Sequence, residues 1–260
     1  MNKTVLSIAG IDPSAGSGLF ADLKMLQAIR VYGVGVVTTV TAQNTQGVSG
    51  QHPVPYEMVA QQLDDIFNDI EIHAVKTGAL GTAKNIELVA ALLQAFKTPY
   101  LVVDPVLKSA SGFSMMEEKG IEIYKQKLFP MAYVITPNLY EASMLTGTEV
   151  TDLSSMRTAA EKLHALGPQH VIIKGGRLPS RAMDLLYDGH KFNVFDAPKV
   201  QSNNLHGIGD CFSAALAGLL ARGLRLDDAI DKSKKYLAKA AVHPFKIGKG
   251  RGPLNLTTPF

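Results

Sequence analysis

Val5-Leu6-Ser7-Ile8-Ala9-Gly10-Ile11-Asp12-Pro13-Ser14-Ala15-Gly16-Ser17-Gly18 begins as a short apolar run, stops at a glycine and continues as a loop of small and polar residues. An apolar run of this length bounded by glycine reads as a buried strand. Beyond the loop, Leu19, Leu23, Leu26 and Ile29 recur at helical spacing, which places Asp22 on the first turns of a helix. The stretch is therefore a strand, a loop and a helix.

The same unit recurs along the chain. Residues 34–40 are β-branched almost throughout and predict a second strand, ending in Thr41-Ala42-Gln43-Asn44. Helical spacing returns at Met58, Val59, Leu63, Ile66 and Phe67. Residues 73–76 read as a short strand, and the turn at 77–81 leads into a helix through about Ala95. Residues 100–103 form a fourth strand, closed by Asp104-Pro105, and a charged helix is expected over 117–128. Residues 133–135 and 171–173 are further strands, with a helix over 154–165 between them. Asn138, with Glu141 three residues on, has capping-box spacing for a helix start. Two extended runs within 184–197 flank Asp188-Gly189, which predicts a tight hairpin, and helices follow over 208–221 and 226–242.

Alternation of this kind implies an α/β fold in three layers. The central sheet is mostly parallel, helices cover both faces, and an antiparallel hairpin lies near one edge. With no linker, repeat or low-complexity segment, residues 1–260 read as a single domain. Ligands of such sheets bind beyond the C-terminal ends of the strands. Gly10, Gln43, Lys76, Asp104, Asn138 and Lys174 all follow or end strands, so they are expected to share one rim.

Composition narrows the function. Apolar residues make up 46% and charged residues 19% of 260, a globular balance. The net charge of +3 is too mild to point to nucleic acid or a membrane surface. One cysteine excludes an internal disulfide framework, and no apolar run reaches the roughly 18 residues of a membrane span. A soluble, cytoplasmic protein acting on a small molecule is the expectation.

Gly16-Ser17-Gly18-Leu19-Phe20-Ala21 matches the dinucleotide fingerprint G-x-G-x-x-A. The loop before it is too long for that tight turn, and the acid expected about 20 residues on is missing. No G-x-x-x-x-G-K-[ST] occurs either. The stronger signal is Gly207-Ile208-Gly209-Asp210, running directly into the small-residue stretch from Cys211. Such a turn aims backbone N–H groups at one point on the positive end of a helix dipole, a place for phosphate. Asp210 at its rim can accept a proton from an attacking hydroxyl.

Phosphoryl transfer further needs a metal on oxygen ligands and a cation on the nucleotide phosphates. Asp104 and Glu141 suit the metal, and Lys174 the phosphates. Each also has an ordinary structural reading: Asp104 as a turn cap, Asn138 and Glu141 as a helix cap, Lys174 as a solvated strand end. The glycines of the turn alternatively serve a tight helix entry, and His206 either touches phosphate or steadies the turn. Cys211 reads as a small buried residue of the helix.

Taken together, these residues resemble the vitamin-kinase branch of the ribokinase-like superfamily, most closely the hydroxymethylpyrimidine/phosphomethylpyrimidine kinases of thiamine synthesis. The resemblance rests on residues 8–18 with Ala21-Asp22-Leu23-Lys24, on Val40-Thr41-Ala42-Gln43-Asn44-Thr45 and on Val75-Lys76-Thr77-Gly78. It extends through Val103-Asp104-Pro105-Val106, Thr136-Pro137-Asn138-Leu139 with Glu141-Ala142, Lys174-Gly175-Gly176 and Gly252-Pro253-Leu254-Asn255. Pyridoxal kinases of the same branch share these blocks. The resemblance implies ATP and Mg2+, an open three-layer fold and a homodimer. It places the pyrimidine on Gly10, Asp22 and Gln43, ATP on Asn138, Lys174 and His206, and magnesium on Asp104 and Glu141. Catalysis falls to Asp210 with the amides of Gly207, Ile208 and Gly209. Two departures stand out: thiamine kinases usually carry cysteine at the position of Asp210 and methionine at that of Ala79. An aspartate in the turn is the pattern of sugar kinases and of the other pyridoxal kinase branch, so a pyridoxal or pyridoxine kinase is the neighbouring expectation. A non-catalytic vitamin-binding protein on the same scaffold is the third.

Overall fold

The structure, a computed structural model, describes all residues except 1, 2, 177, 179, 180, 198, 201, 203 and 244. The opening stretch forms strand β1 (Thr4–Ile11), and helix α1 (Gly18–Ala28) follows its loop. Next come β2 (Tyr32–Asn44), β3 (Gly47–Pro53), α2 (Tyr56–Asp69), β4 (Ala74–Thr77), α3 (Ala83–Phe96) and β5 (Leu101–Val103). The second half runs α4 (Glu118–Ile123), β6 (Val134–Ile135), α5 (Leu139–Thr146), α6 (Leu153–His164), β7 (His170–Ile173), β8 (Ala182–Tyr187), β9 (Phe192–Ala197), α7 (Ile208–Ala221) and α8 (Leu226–Val242).

The strands join in one sheet of order β3-β2-β1-β4-β5-β6-β7-β8-β9. Every pairing from β2 across to β7 is parallel, and β8 and β9 add the expected antiparallel hairpin at one edge. Alternation along buried strands feeds two cores. Leu6, Ile8, Val75, Val103 and Ile135 enter one core with residues of α2, α3, α5 and α6. Val5, Ala74, Val102 and Val134 enter the other, with α1, α7 and α8. Each such Val, Leu or Ile side chain contributes about 1.5–3 kcal/mol on burial, so the sheet is fixed from both sides.

Three sequence expectations need correction. The other edge carries β3, antiparallel to β2, where no strand was expected. Its residues are half-buried or exposed and include two glycines and a proline, as suits an edge that shows one side to water. The helix expected over 117–128 is α4 alone; its continuation Tyr124–Leu128 widens into a π turn before the 3-10 turn Phe129–Met131. Pro130 lacks the N–H that another α-helical turn would need. The hairpin loop is four residues, not two: Asp188 accepts from the backbones of His190 and Lys191 while Gly189 takes a left-handed φ of 87°.

The pairing of β1 with β2 slips at Gly10, since Ala9 faces Val37 while Ile11 faces Val40. That irregularity turns the chain off the sheet at its C-terminal rim. Among the described residues, no helix is long and apolar enough to cross a membrane.

Candidate active site

A cleft of about 400 Å³ opens along the C-terminal rim of the sheet. Its walls include Gly10, Gln43, Ala79, Asp104, Asn138, Glu141, Lys174, His206 and the turn from Gly207 to Asp210, contributed by strand ends scattered through the sequence. One residue assigned to the acceptor, Asp22, is absent from these walls and fully buried.

The anion turn is built as the sequence suggests. Gly207 occupies the N-cap of α7 in the left-handed region (φ 75°), and no side chain caps the helix. The first N–H groups of a helix have no partner within it, so an uncapped N-terminus at a cleft wall leaves donors for an anion. Asp210 sits in the first turn, and its Oδ1 lies 3.5 Å from the ammonium of Lys76. Cys211 faces the core instead, and burial pushes its thiol up, which removes it as a nucleophile.

Beside this turn lies a second charged group. Lys174 Nζ donates to Asp104 Oδ1 at 2.7 Å, while Thr136 and Ser213 hydroxyls donate to the two oxygens of the same carboxylate. The ammonium rests against the turn itself, since a Cβ on Gly209 would come within 3.3 Å of it. Asn138 and Glu141 form the reciprocal capping box of α5, with Glu141 Oε2 accepting from Asn138 N at 2.7 Å. The capping and cleft-lining readings thus hold together. Burial pushes the Glu141 carboxyl up to about 8, with Lys174 opposing the rise and Asp104 adding to it.

Among the described residues no group of three or more His, Cys, Asp and Glu is placed to hold a metal. Magnesium does not require one, because it commonly binds through one or two carboxylates, water and substrate phosphates. Asp104 and Glu141 fit that donor set. A bound cation would favour the ionised form of Glu141, against the burial that raises its carboxyl.

On the other flank, the loop after β1 folds onto the turn. Asp12 Oδ2 accepts from His206 Nε2 at 2.8 Å, and both Asp12 oxygens take further hydrogen bonds from Ser14 and Ser17. Burial works against the charged carboxylate, but these hydrogen bonds outweigh it and hold Asp12 at about 2. Gln43 Nε2 donates to Ser17 Oγ and lies 3.3 Å from the same ring nitrogen of His206. His206, assigned to ATP, is therefore beside Gln43, which was assigned to the acceptor. The Gly16–Gly18 segment that resembled a dinucleotide loop forms the wall against which the anion turn packs.

Sequence reasoning gave no role to Asp12, Lys76 or the pair of Asp184 and Lys234, which meet at 2.5 Å on the far wall of the cleft. Lys76 carried a usable signal. A lysine inside a short buried strand demands an acidic partner.

The family model described as phosphomethylpyrimidine kinase matches residues 12–255. The hydroxymethylpyrimidine/phosphomethylpyrimidine kinase of Mycobacterium leprae is 42% identical over 258 residues, covering 96% of this chain and 92% of that protein. The thiamine biosynthesis bifunctional protein ThiED of Geobacter sulfurreducens is 43% identical over 253 residues, or 97% of this chain, which spans about half (52%) of that relative. Among solved structures, the Staphylococcus aureus pyridoxal kinase in complex with AMP-PCP and pyridoxal has a TM-score of 0.90 at 35% identity, covering 98% of this chain and 94% of that one. The phosphomethylpyrimidine kinase of Clostridium difficile 630 has a TM-score of 0.82 at 35% identity, over 92% and 99% respectively. The fold is thus the ribokinase-like three-layer arrangement of these kinases. A match running from the loop after β1 to the segment beyond α8, with relatives near 40% identity over nearly the whole chain, makes this protein a member of the phosphomethylpyrimidine kinase family.

Proposed function

We propose that the protein is an ATP-dependent kinase, a single catalytic domain that phosphorylates the hydroxymethyl group of 4-amino-5-hydroxymethyl-2-methylpyrimidine. The observation that carries this reading is the Asp210 carboxylate on the first turn of the uncapped helix α7, at the wall of a cleft shared with Gln43 and Lys174. Asp210 takes the proton of the acceptor hydroxyl as its oxygen attacks the γ-phosphorus; the bond to the β–γ bridging oxygen breaks and ADP leaves. The amides of Gly207, Gly209 and Asp210 hold the transferring group, while the Ile208 N–H, also expected there, donates to the Leu205 carbonyl at 3.3 Å. Asn138 and Lys174 serve ATP, Gly10 and Gln43 the pyrimidine, and His206 steadies the acceptor side of the turn. Magnesium, held by Asp104 and Glu141, would neutralise phosphate charge.

The monophosphate is the second acceptor. Asp210 adds repulsion against its phosphate, so its turnover is expected to be slower than that of the alcohol. A cytoplasmic homodimer belongs to the same reading, with the exposed Tyr32 and Val40 of β2 offering apolar surface to a second copy.

Pyridoxal is the competing acceptor, favoured by the small Ala79 side chain on the cleft wall and by the pyridoxal-bound relative. ADP release measured side by side on the pyrimidine alcohol, its monophosphate and pyridoxal decides between them. Highest kcat/KM on the pyrimidine alcohol supports the proposal, and highest kcat/KM on pyridoxal overturns it in favour of the B6 reading. Binding without turnover of any acceptor leaves only a vitamin-binding protein.

A further inference from the structure

Behind the wall of the cleft four side chains make a continuous polar chain. Ser7 Oγ donates to Asp22 Oδ2 at 2.6 Å, Lys76 Nζ donates to the same oxygen at 2.7 Å, and Lys76 Nζ reaches Asp210 Oδ1 at 3.5 Å. The side chains of Asp22 and Lys76 are 0% exposed, whereas that of Asp210 is 18% exposed and lines the cleft.

Strand register explains the arrangement. Ser7 on β1 faces Lys76 on β4 in a parallel pair, and both lie on the sheet face that α1 and α7 cover. Helix α1 supplies Asp22 to that layer and α7 supplies Asp210. Gly78 leaves the room the ammonium needs, because a Cβ there would lie 2.8 Å from Lys76 Nζ.

A buried ion pair is a poor device for stability alone, since packed apolar side chains serve as well or better. This one is costly in a further respect: among the described residues, Asp22 Oδ1 is buried without any hydrogen-bond partner. What the pair does have is a third contact, to the carboxylate at the reaction centre.

We infer that Ser7, Asp22 and Lys76 are positioning residues for Asp210: Asp22 anchors the Lys76 ammonium, and Lys76 fixes the Asp210 carboxylate toward the acceptor hydroxyl. This rests on Asp210 being the base. It removes Asp22 from the acceptor and gives it a role one step behind. Geometry of this kind governs kcat, because a base displaced by about 1 Å can cost roughly 10²-fold in rate.

The test is steady-state ADP release on the pyrimidine alcohol by the full chain and by its S7A, D22N, K76M, K76R and D210N variants. Each is first checked for folding by circular dichroism and for AMP-PCP binding by calorimetry. Expected are losses of about 10²-fold in kcat for D22N and K76M, with acceptor KM within a few-fold of the parent. The D22N/K76M double variant should be no slower than K76M alone, and K76R should recover part of the rate. S7A keeps both charges and should lose kcat in the same direction by a smaller factor, so S7A and D22N carry the test if K76M does not fold. A D22N variant with parental kcat and a raised acceptor KM overturns the inference and returns Asp22 to the substrate. Parental kcat in D22N and K76M beside a slow D210N also overturns it, while leaving the base in place. A D210N variant within a few-fold of the parent instead overturns the base.

Discussion

Gly207 and Gly16 meet backbone to backbone: a Cβ on Gly207 would overlap the Gly16 carbonyl oxygen, so the anion turn and the loop after β1 are packed against each other with no room for a side chain. Gly207 also holds a φ of 75°, which other residues adopt only under strain. Gly207→Ala should therefore cost about 1–3 kcal/mol from the backbone alone, with a further loss from displacing the loop. Urea unfolding and kcat should both report it. A variant with parental stability and rate would show that the turn is not constrained as described.

The Lys174–Asp104 pair sets a second expectation. Asp104 is 2% exposed, so Lys174→Met strands a buried carboxylate, a change that typically costs about 3–5 kcal/mol. Replacing both, as Asp104→Asn with Lys174→Met, should recover most of that stability while the KM for ATP stays raised. Chemical denaturation separates the two effects. If the double variant is no more stable than Lys174→Met, the loss does not come from the unpaired charge.

Asp12 gives the pH dependence. Its carboxyl falls from the ordinary 3.8 to about 2 in the fold, so its contribution is complete above about pH 4 and is lost as pH falls toward about 2. Asp12→Asn should be about 1–2 kcal/mol less stable than the parent at pH 7. The gap should close between about pH 4 and pH 2, as read from urea midpoints across that range. A gap that is constant with pH would point to packing rather than charge.

Ala79 lines the cleft, and a Cβ on Gly10 would be 3.7 Å from its methyl group. Ala79→Met should narrow the acceptor end and shift preference toward the pyrimidine alcohol, which carries one ring substituent fewer than pyridoxal. The ratio of kcat/KM for the pyrimidine alcohol over pyridoxal should rise about 10-fold or more. An unchanged ratio would mean that acceptor choice is made elsewhere.

Elements with strong local signals were legible in the sequence. Helices α7 and α8 and the alternation of strand and helix follow from periodicity and from glycine boundaries. Strand β3 was not legible, because an edge strand with one wet side has no apolar run to announce it. In the site, topology alone sends Gly10, Gln43, Asp104, Asn138 and Lys174 to the rim, whereas Lys76, expected there too, is fully buried behind the cleft wall. The partnerships were not legible: Lys76 meets Asp22 across 54 residues and Asp210 across 134, and no local pattern encodes such pairs. His206 was placed with ATP for the same reason, since its neighbours Asp12 and Gln43 are far away in sequence.

The hydrogen bond between Asp12 and His206 spans 194 residues of chain. On a ribosome, where synthesis adds about 5–20 residues per second, Asp12 emerges roughly 10–40 s before its partner exists. For that interval the loop after β1 can be closed by Ser14 and Ser17, but it has no turn to pack against. All nine strands, the last ending at Ala197, are thus synthesised before the Gly207–Asp210 turn that the loop after β1 packs against.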